Sequence, residues 1–117
     1  MNIESFRLYC LAKKGVTEEF PFDETTLVFK VMGKMFALTS LDQFDGISLK
    51  IEPEAGVALR DRYDFVQQAY HMNKKHWITV VHPEVVAGKL LCGLIDGSYD
   101  LVVQGLTKSQ KLALDSL

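Results

Sequence analysis

The chain has 117 residues, and its apolar fraction of 48% and charged fraction of 24% match those of ordinary globular proteins. These values exclude a disordered chain and predict one domain, residues 1–117, with a core of its own. The formal net charge of −2 excludes a protein that coats nucleic acid through bulk charge. The sequence does not open on a cationic leader, and no apolar segment approaches bilayer length, so we expect a cytoplasmic protein without a membrane partner.

Metal, cofactor and catalytic chemistry find little support in the sequence. Cys10 and Cys92 lie far apart in apolar segments, where thiols are usually buried, reduced and inert. A zinc site needs about four ligands at short spacing, but His71 and His76 have no cysteine near them. Neither a phosphate-binding glycine loop nor a nucleophile-elbow pattern is present. We therefore expect no metal, no cofactor and no enzymatic activity.

The N-terminal segment is predicted to be a helix. Apolar residues recur at helical spacing from Ile3 to Leu11, Asn2 can cap the first turn, and Gly15 can end the helix. The next segment, Phe20–Phe22, is predicted to be extended, because its proline disfavours a helical conformation in the residue before it.

A β-hairpin and a further strand are predicted next. Two β-type runs, Thr26–Met32 and Met35–Thr39, surround Gly33-Lys34. Glycine at the first position of a two-residue loop predicts a hairpin of the type II′ kind. Ile47–Ile51 then alternates strictly between aliphatic and polar residues. This alternation predicts an antiparallel sheet with one covered face and one face open to water.

The middle of the chain is predicted to hold a second helix and two strands. Pro53 and the acids beside it favour the first turn of a helix that runs to about Arg62. Its buried face is predicted to consist of Val57–Leu59. The two strands, 65–70 and 76–81, are predicted to flank a turn at 72–75.

The C-terminal part is predicted to form a long helix and a short one. An apolar helical stripe lies within 84–106, and Gly105 is predicted to end that helix. Gly93 and Gly97 lie inside the stripe, where they are expected to mark close backbone packing or a break. Thr107 and Gln110 have the spacing of a capping box for the last helix.

Cationic, hydrogen-bonding and aromatic groups are concentrated in the eight residues Tyr70–Trp77. This block lies inside a window without Asp or Glu, Phe65–Pro83, and a second such window is Thr25–Leu41. If the fold brings the two windows together, they form one positive face. The residues predicted to contact nucleic acid are Lys30, Lys34, His71, Asn73, Lys74, Lys75 and His76.

Each of these groups also has a structural explanation. Asn73 suits a turn because its side chain caps the local backbone. Lys74 and Lys75 contact phosphates as point charges or serve only solubility. Trp77 is a core anchor or an exposed platform on which bases stack. Our expectation is that Trp77 belongs to the core.

At the Tyr70–Trp77 block the chain resembles the MmcQ/YjbR-like family of small bacterial proteins, and the resemblance covers nearly the whole sequence. The matching segments are Gly33–Ala37, Ile47–Lys50, Pro53-Glu54, Leu59-Arg60 with Tyr63, Tyr70–Trp77 with Thr79-Val80, and Leu94–Asp96 with Ser98-Tyr99. The eight-residue block is the specific one among them. Gln67–Ala69 departs from the family's usual proline, which puts the rigidity of the approach to the block in doubt.

The resemblance implies an α+β fold of the CyaY-like (frataxin-like) kind, with a two-layer arrangement of an antiparallel sheet and helices packed on one face. It also implies a proposed role in binding double-stranded DNA through a "double wing" arrangement of hairpins. The alternative is a protein-interaction or small-ligand module centred on Tyr70–Trp77, with an unknown partner and no DNA binding. Iron handling, a third hypothesis, is disfavoured because Glu4 is the only acid in the first predicted helix.

Overall fold

The computed structural model describes residues 1–69 and 72–117. Along this part of the chain the elements are α1 (Ile3–Leu11), β1 (Val16–Glu19), β2 (Thr26–Val31), β3 (Lys34–Ser40), β4 (Gly46–Lys50), α2 (Pro53–Arg62), β5 (Val66–Gln68), β6 (Trp77–Val81), α3 (Gly88–Gln104) and α4 (Lys108–Asp115). The strands form one sheet in the order β1-β2-β3-β4-β6-β5, and all neighbouring strands are antiparallel. The predicted α+β architecture is confirmed.

The main core lies between one face of the sheet and the helices. Phe6 of α1 packs edge-on against Phe29 of β2, with ring centroids 5.4 Å apart. Helix α3 contributes the buried stripe Leu91, Ile95 and Val102 to the same cluster. Because the apolar residues of the strands point to this side, the sheet is covered on this face.

We call the opposite face, which carries no helix, the open face; the prediction that it is open to water is wrong for Val28, Ser48 and Trp77, which are buried. Ile47 and Leu49 belong to the main core, whereas Ser48 between them points the other way. Its hydroxyl lies 3.0 Å from that of Thr79, which alternates with the core residue Ile78 in β6. The polar residues of adjacent strands therefore meet on the face that carries no helix.

The N-terminal helix is confirmed, but its end and the element after it differ from the prediction. Asn2 caps α1 through a hydrogen bond from the Ser5 backbone N–H to Asn2 Oδ1 (2.8 Å). The helix ends at Leu11, and Gly15, with φ of +75°, instead leads into β1. The strand β1 was not predicted.

The hairpin between β2 and β3 is confirmed, but its loop is shifted by one residue. Met32 and Gly33 are the two loop residues, and both have positive φ, 51° and 79°. Positive φ at both central positions characterises a type I′ turn, so the predicted type II′ turn at Gly33-Lys34 is wrong. Lys34 is instead the first residue of β3.

Helix α2 has the predicted bounds but not the predicted buried face. Val57 is 51% exposed and Ala58 is exposed, while Leu59 is only partly buried. The buried residue is Gly56, whose Cα faces Ile51 and Ile78 so closely that a Cβ would lie 3.1 Å from Ile51 Cγ2. A glycine allows the helix to lie against the sheet here, which periodicity alone did not indicate.

The C-terminal helices agree with the prediction in their order and caps. Helix α3 is shorter than predicted, and Gly105 is its C-cap. Gly93 and Gly97 are exposed, and a Cβ atom added at either position would have no neighbour within 4 Å. They therefore mark neither close backbone packing nor a break in the helix. The capping box of Thr107 and Gln110 is confirmed by reciprocal hydrogen bonds of 3.1 and 3.0 Å.

The two strands after α2 are confirmed with shorter bounds. β5 covers Val66–Gln68 rather than 65–70, and β6 covers Trp77–Val81 rather than 76–81. Tyr70, the end of the first predicted strand, lies outside the described residues. Within 1–69 and 72–117, no helix has the length and apolarity needed to cross a membrane.

Candidate nucleic-acid interface

The strand register brings the two predicted basic turns to the same end of the sheet. β3 begins at Lys34, and its later residue Ala37 pairs with Leu49 of β4. β4 ends at Lys50, which pairs with Trp77, the first residue of β6. The β2–β3 hairpin and the turn before β6 therefore both project from the end of the sheet at which β4 ends. We call this region, formed by Lys34, Lys50, Lys74 and Lys75, the lysine end.

The turn before β6 is held by its own backbone. Asn73 Oδ1 accepts a hydrogen bond of 2.9 Å from the Lys75 backbone N–H, and Asn73 O accepts one of 3.2 Å from the His76 N–H. Lys74 and Lys75 are exposed. Asn73 thus has the structural role in a turn that its residue type favours, and it holds the two lysines in place.

His76 joins the turn to the neighbouring strand. Its carbonyl accepts a hydrogen bond of 2.9 Å from the Ile51 N–H, which extends the β4–β6 pairing by one residue. The exposed His76 side chain lines a shallow depression of about 340 Å³ together with Lys50 and Glu52. Glu52 therefore places one carboxylate at the lysine end, which reduces its positive charge.

Lys30 is paired with an acid. Its Nζ lies 3.3 Å from Glu19 Oε1 on the neighbouring strand β1. A hydrogen bond from Thr17 and the hydrogen bond and charge of Lys30 hold the pKa of the Glu19 carboxyl below its usual value. The carboxylate is therefore ionised at neutral pH, and much of the charge of Lys30 is compensated locally.

The last predicted contact, His71, lies outside the described residues together with Tyr70. Of the seven predicted residues, the structure thus brings Lys34, Asn73, Lys74, Lys75 and His76 to one end of the sheet and pairs Lys30 with Glu19.

Trp77 is buried, with 8% of its surface exposed, but it does not belong to the main core cluster. The next residue, Ile78, points into that core, so Trp77 lies on the open face of the sheet. An indole with so little exposed surface does not offer a free ring for stacking. The expectation of a buried Trp77 is confirmed, although it is buried on the face opposite the helices.

Ser98 of α3, which was not predicted to be a site residue, helps to position the strands at the lysine end. The fully buried Ser98 hydroxyl donates a hydrogen bond of 2.5 Å to Phe36 O and accepts one of 2.8 Å from the Lys50 N–H. Ser98 therefore ties β3 and β4 to the helix next to Lys50. The only sequence signal for it was its place in the segment Leu94–Tyr99 that carries part of the family resemblance.

A second polar cluster joins α1 to α3. Asp96 Oδ1 accepts hydrogen bonds from Tyr9 OH (2.7 Å) and Lys13 Nζ (2.5 Å). The hydrogen bond to Asp96 and burial raise the pKa of the Tyr9 phenol well above its usual value. Lys13 Nζ also lies 5.0 Å from the ring centroid of Tyr9 and 5.2 Å from that of Tyr99. The cluster is a helix-to-helix contact with its polar groups paired.

The buried Cys10 thiol is not a reactive group. Burial raises the pKa of the Cys10 thiol to about 12, so it stays protonated and unreactive at neutral pH. Within the described ranges, no group of three or more His, Cys, Asp or Glu side chains lies close enough to hold a metal ion.

Comparison with known proteins places this arrangement in a family. Residues 11–101 match the family model described as YjbR. The chain is 42% identical over 90 residues to the "Uncharacterized protein YbdF" of Escherichia coli O157:H7, which covers 76% of this chain and 74% of the relative. It is 30% identical over 118 residues to the "Uncharacterized protein YjbR" of Escherichia coli K12, which covers 100% of both chains.

Two solved structures share the fold. The crystal structure of Deinococcus radiodurans protein DR2400, with a DUF419 domain, has a TM-score of 0.90 at 40% identity and covers 97% of this chain and 88% of that one. The crystal structure of a Pseudomonas syringae protein, structural-genomics target PsR293, has a TM-score of 0.73 at 30% identity and covers 86% of this chain and 98% of that one. The sheet order, the helical layer and the sequence match agree, and the chain belongs to the YjbR family.

Proposed function

We propose that this protein binds double-stranded DNA weakly, through the lysine end, without catalysing a reaction. The observation that supports the proposal is the strand register, which brings Lys34 and the Lys74-Lys75 turn to one end of the sheet with Lys50 between them. We propose that these two turns, which project from the same end of the sheet, act as the two wings that the family resemblance implies.

The charges at the lysine end set the expected mode of binding. Lysines contact phosphates as point charges, which gives affinity without reading the base sequence. Few cations are present and Glu52 lies among them, so binding is expected to be weak. Each phosphate that a lysine neutralises releases counterion, so affinity is expected to fall steeply as salt rises. We also propose that this protein is cytoplasmic, which is where it would meet DNA in a bacterial cell.

The test is a salt titration of DNA binding. Fluorescence anisotropy with labelled duplexes of mixed sequence is measured at several salt concentrations for the native protein and for Lys74→Ala/Lys75→Ala. We expect the double variant to bind all sequences more weakly and to make the negative slope of log K against log salt shallower by up to about two. Folding is expected to survive, because exposed lysines usually change stability by less than about 0.5 kcal/mol.

The matched control is Lys89→Ala, compared with the single variant Lys74→Ala. Lys89 is exposed in the first turn of α3, whereas the last turn of that helix lies beside Lys50 and His76. Lys89→Ala removes the same charge far from the lysine end, so it should change the slope less than Lys74→Ala does. Equal effects of the two variants, or no binding at high micromolar protein in low salt, would rule out the proposal.

The alternative is a small-ligand or protein-interaction module without DNA binding. One observation favours the small-ligand form: Met72 of the Tyr70–Trp77 block lines a cavity on the open face of the sheet. A ligand that co-purifies with the protein, together with no salt-sensitive affinity for DNA, would favour this alternative.

A further inference from the structure

A cavity lies on the open face of the sheet. It has a volume of about 600 Å³, which is within the range of small-molecule sites. Its base is formed by Leu38 of β3, Ser48 of β4, and Thr79 and Val81 of β6. The cavity extends toward the end of the sheet at which β4 begins, and the lysine end is at the other end of the same strands.

Two apolar side chains from outside the strands border the cavity. Phe22, in the connection between β1 and β2, is 62% exposed, and Met72 approaches from the segment before β6. With Leu38 and Val81 on the base, they provide apolar surface on several sides. An apolar molecule in the cavity would shield Phe22 from water, which is favourable in proportion to the area covered.

The base also offers a hydroxyl group for hydrogen bonding. The oxygens of Ser48 and Thr79 are 3.0 Å apart, so one of the two hydroxyl hydrogens is used between them. The second hydroxyl hydrogen and the remaining lone pairs can bond to a ligand. The cavity can therefore bind a molecule that combines an apolar body with a hydrogen-bonding group.

One carboxylic acid lines the cavity. Among the described residues that line the cavity, Asp45 is the only one with an ionisable side chain. None of these lining residues is a lysine or an arginine. Behind the lining, Thr26 Oγ1 donates a hydrogen bond of 3.0 Å to Asp23 Oδ2. Hydrogen bonds from the backbone N–H groups of Thr26 and Thr25 hold the pKa of the Asp23 carboxyl below its usual value, so it is ionised at neutral pH. A cationic ligand suits this site and a carboxylate does not.

Two residues next to Asp45, one before it in sequence and one hydrogen-bonded to it, have a strained backbone with positive φ. Phe44, immediately before it, has a φ of 44°, and His82, which donates a backbone hydrogen bond of 3.0 Å to Asp45 O, has a φ of 52°. Bulky residues rarely adopt such angles, and strained residues are concentrated at functional sites.

We propose that this cavity is a binding site for a small apolar amine. The apolar body of the ligand lies on Leu38 and Val81, its ammonium group faces Asp45, and the Ser48–Thr79 hydroxyl pair supplies a further hydrogen bond. The proposal gives the small-ligand alternative a site and a ligand class. It does not depend on DNA binding, which involves the opposite end of the sheet.

The test compares three probes of similar size that differ in charge: 2-phenylethylamine, 2-phenylethanol and 3-phenylpropionate. Each is titrated into the isotope-labelled protein while backbone amide resonances are followed by NMR. We expect the amine to shift the resonances of Leu38, Ser48, Thr79 and Val81 and to bind about fivefold more tightly than the alcohol, with the carboxylate weakest. The resonances of Lys34, in the β2–β3 hairpin, and of Lys89, in α3, should remain in place.

Two variants and a control test the assignment. Asp45→Asn should remove the difference between amine and alcohol, whereas Asp61→Asn, which neutralises an exposed acid on α2, should keep it. Leu38→Phe, which narrows the cavity with a larger apolar side chain, should weaken both probes. Equal binding of amine and alcohol by the native protein, tighter binding of the carboxylate, or shifts outside the cavity would overturn the proposal. A loss of salt-dependent DNA binding in Lys74→Ala/Lys75→Ala would leave it untouched.

Discussion

The Ser98 hydroxyl is a single polar group that satisfies two strands at once. It is fully buried, and it accepts the Lys50 N–H while donating to Phe36 O. Without the hydroxyl, both backbone groups would lose this partner in a place that water does not reach. A serine of this kind appears in the sequence as an ordinary polar residue in an apolar helix, so its role could not be predicted from its residue type.

Ser98→Ala is therefore expected to destabilise the protein by about 1 to 3 kcal/mol, because a buried donor and acceptor are left unsatisfied. Urea unfolding followed by circular dichroism measures the loss. Ser109→Ala, on the exposed side of α4, is the control and should change stability by less than about 0.5 kcal/mol. A loss for Ser98→Ala as small as that of the control would contradict the assigned role.

The burial of Trp77 leads to a second expectation, about its fluorescence and its contribution to stability. It is the only tryptophan and is 8% exposed, so its emission should be blue-shifted and resist quenching by iodide. Trp77→Ala is expected to cost about 3 to 5 kcal/mol in the free energy of unfolding, as for other large buried side chains. Red-shifted, easily quenched emission of the native protein, with a stable Trp77→Ala variant, would show that the ring is exposed in solution.

Local sequence signals identified most elements of this fold. The N-terminal helix caps were the most reliable of these signals. Asn2, Thr107 and Gln110 make their hydrogen bonds within one helical turn and need no partner from elsewhere in the chain. Strand β1, Val16–Glu19, was missed because it ends in two acids and does not alternate in polarity. Its conformation depends on pairing with β2 across the connection at 20–25, and no pattern within the strand itself encodes that pairing.

The contact between α1 and α3 has a predicted pH dependence. Burial alone would raise the pKa of the Asp96 carboxyl, but the hydrogen bonds from Lys13 and Tyr9 outweigh it and hold that pKa below its usual value of 3.8. A carboxyl with a lowered folded-state pKa stabilises the protein above its unfolded pKa, and this contribution is lost as the pH falls through the folded value. The side chain is 45% exposed, so solvent screens the interaction and the effect is modest.

Asp96→Asn is accordingly expected to lower the melting temperature by a constant amount from neutral pH down to about pH 5, with the difference narrowing below about pH 4. Thermal unfolding of both proteins across this range provides the comparison. Asp61→Asn, an exposed acid on α2, controls for the change in net charge. A gap that stays constant down to acid pH would mean that the charge of Asp96 contributes nothing.

In the whole molecule, the lysine end and Asp45 lie at opposite ends of the same strands. Sequence analysis found the two acid-free windows and the turn that carries Lys74 and Lys75, but it could not know that the strand register brings them together. It missed the cavity entirely, because Leu38 and Thr79 are distant in sequence and meet only across β4. The pairing of Lys30 with Glu19 was equally invisible, since it depends on the unpredicted strand β1.

The separation of the two ends predicts that their functions are independent. Asp45→Asn is expected to leave the salt slope of DNA binding unchanged, and Lys74→Ala/Lys75→Ala is expected to leave amine binding unchanged, because neither lysine lines the cavity and substitutions that do not contact each other usually have additive effects. Anisotropy and NMR titrations on both variants and on the triple variant measure this. A triple variant that differs from the sum of its parts would indicate coupling through β4 and β6.

The order of the strands also has a consequence for association between copies of the chain. The outermost strands, β1 and β5, contain four and three residues, and β1 ends in Glu18 and Glu19. An exposed strand is a template for aggregation when it is long, flat and apolar, and short or charged edges hinder the addition of a strand from another molecule. The longer, more apolar strands β2, β3, β4 and β6 all lie inside the sheet, where both edges are paired. This arrangement keeps the most aggregation-prone segments of the chain away from other copies as long as the sheet remains intact.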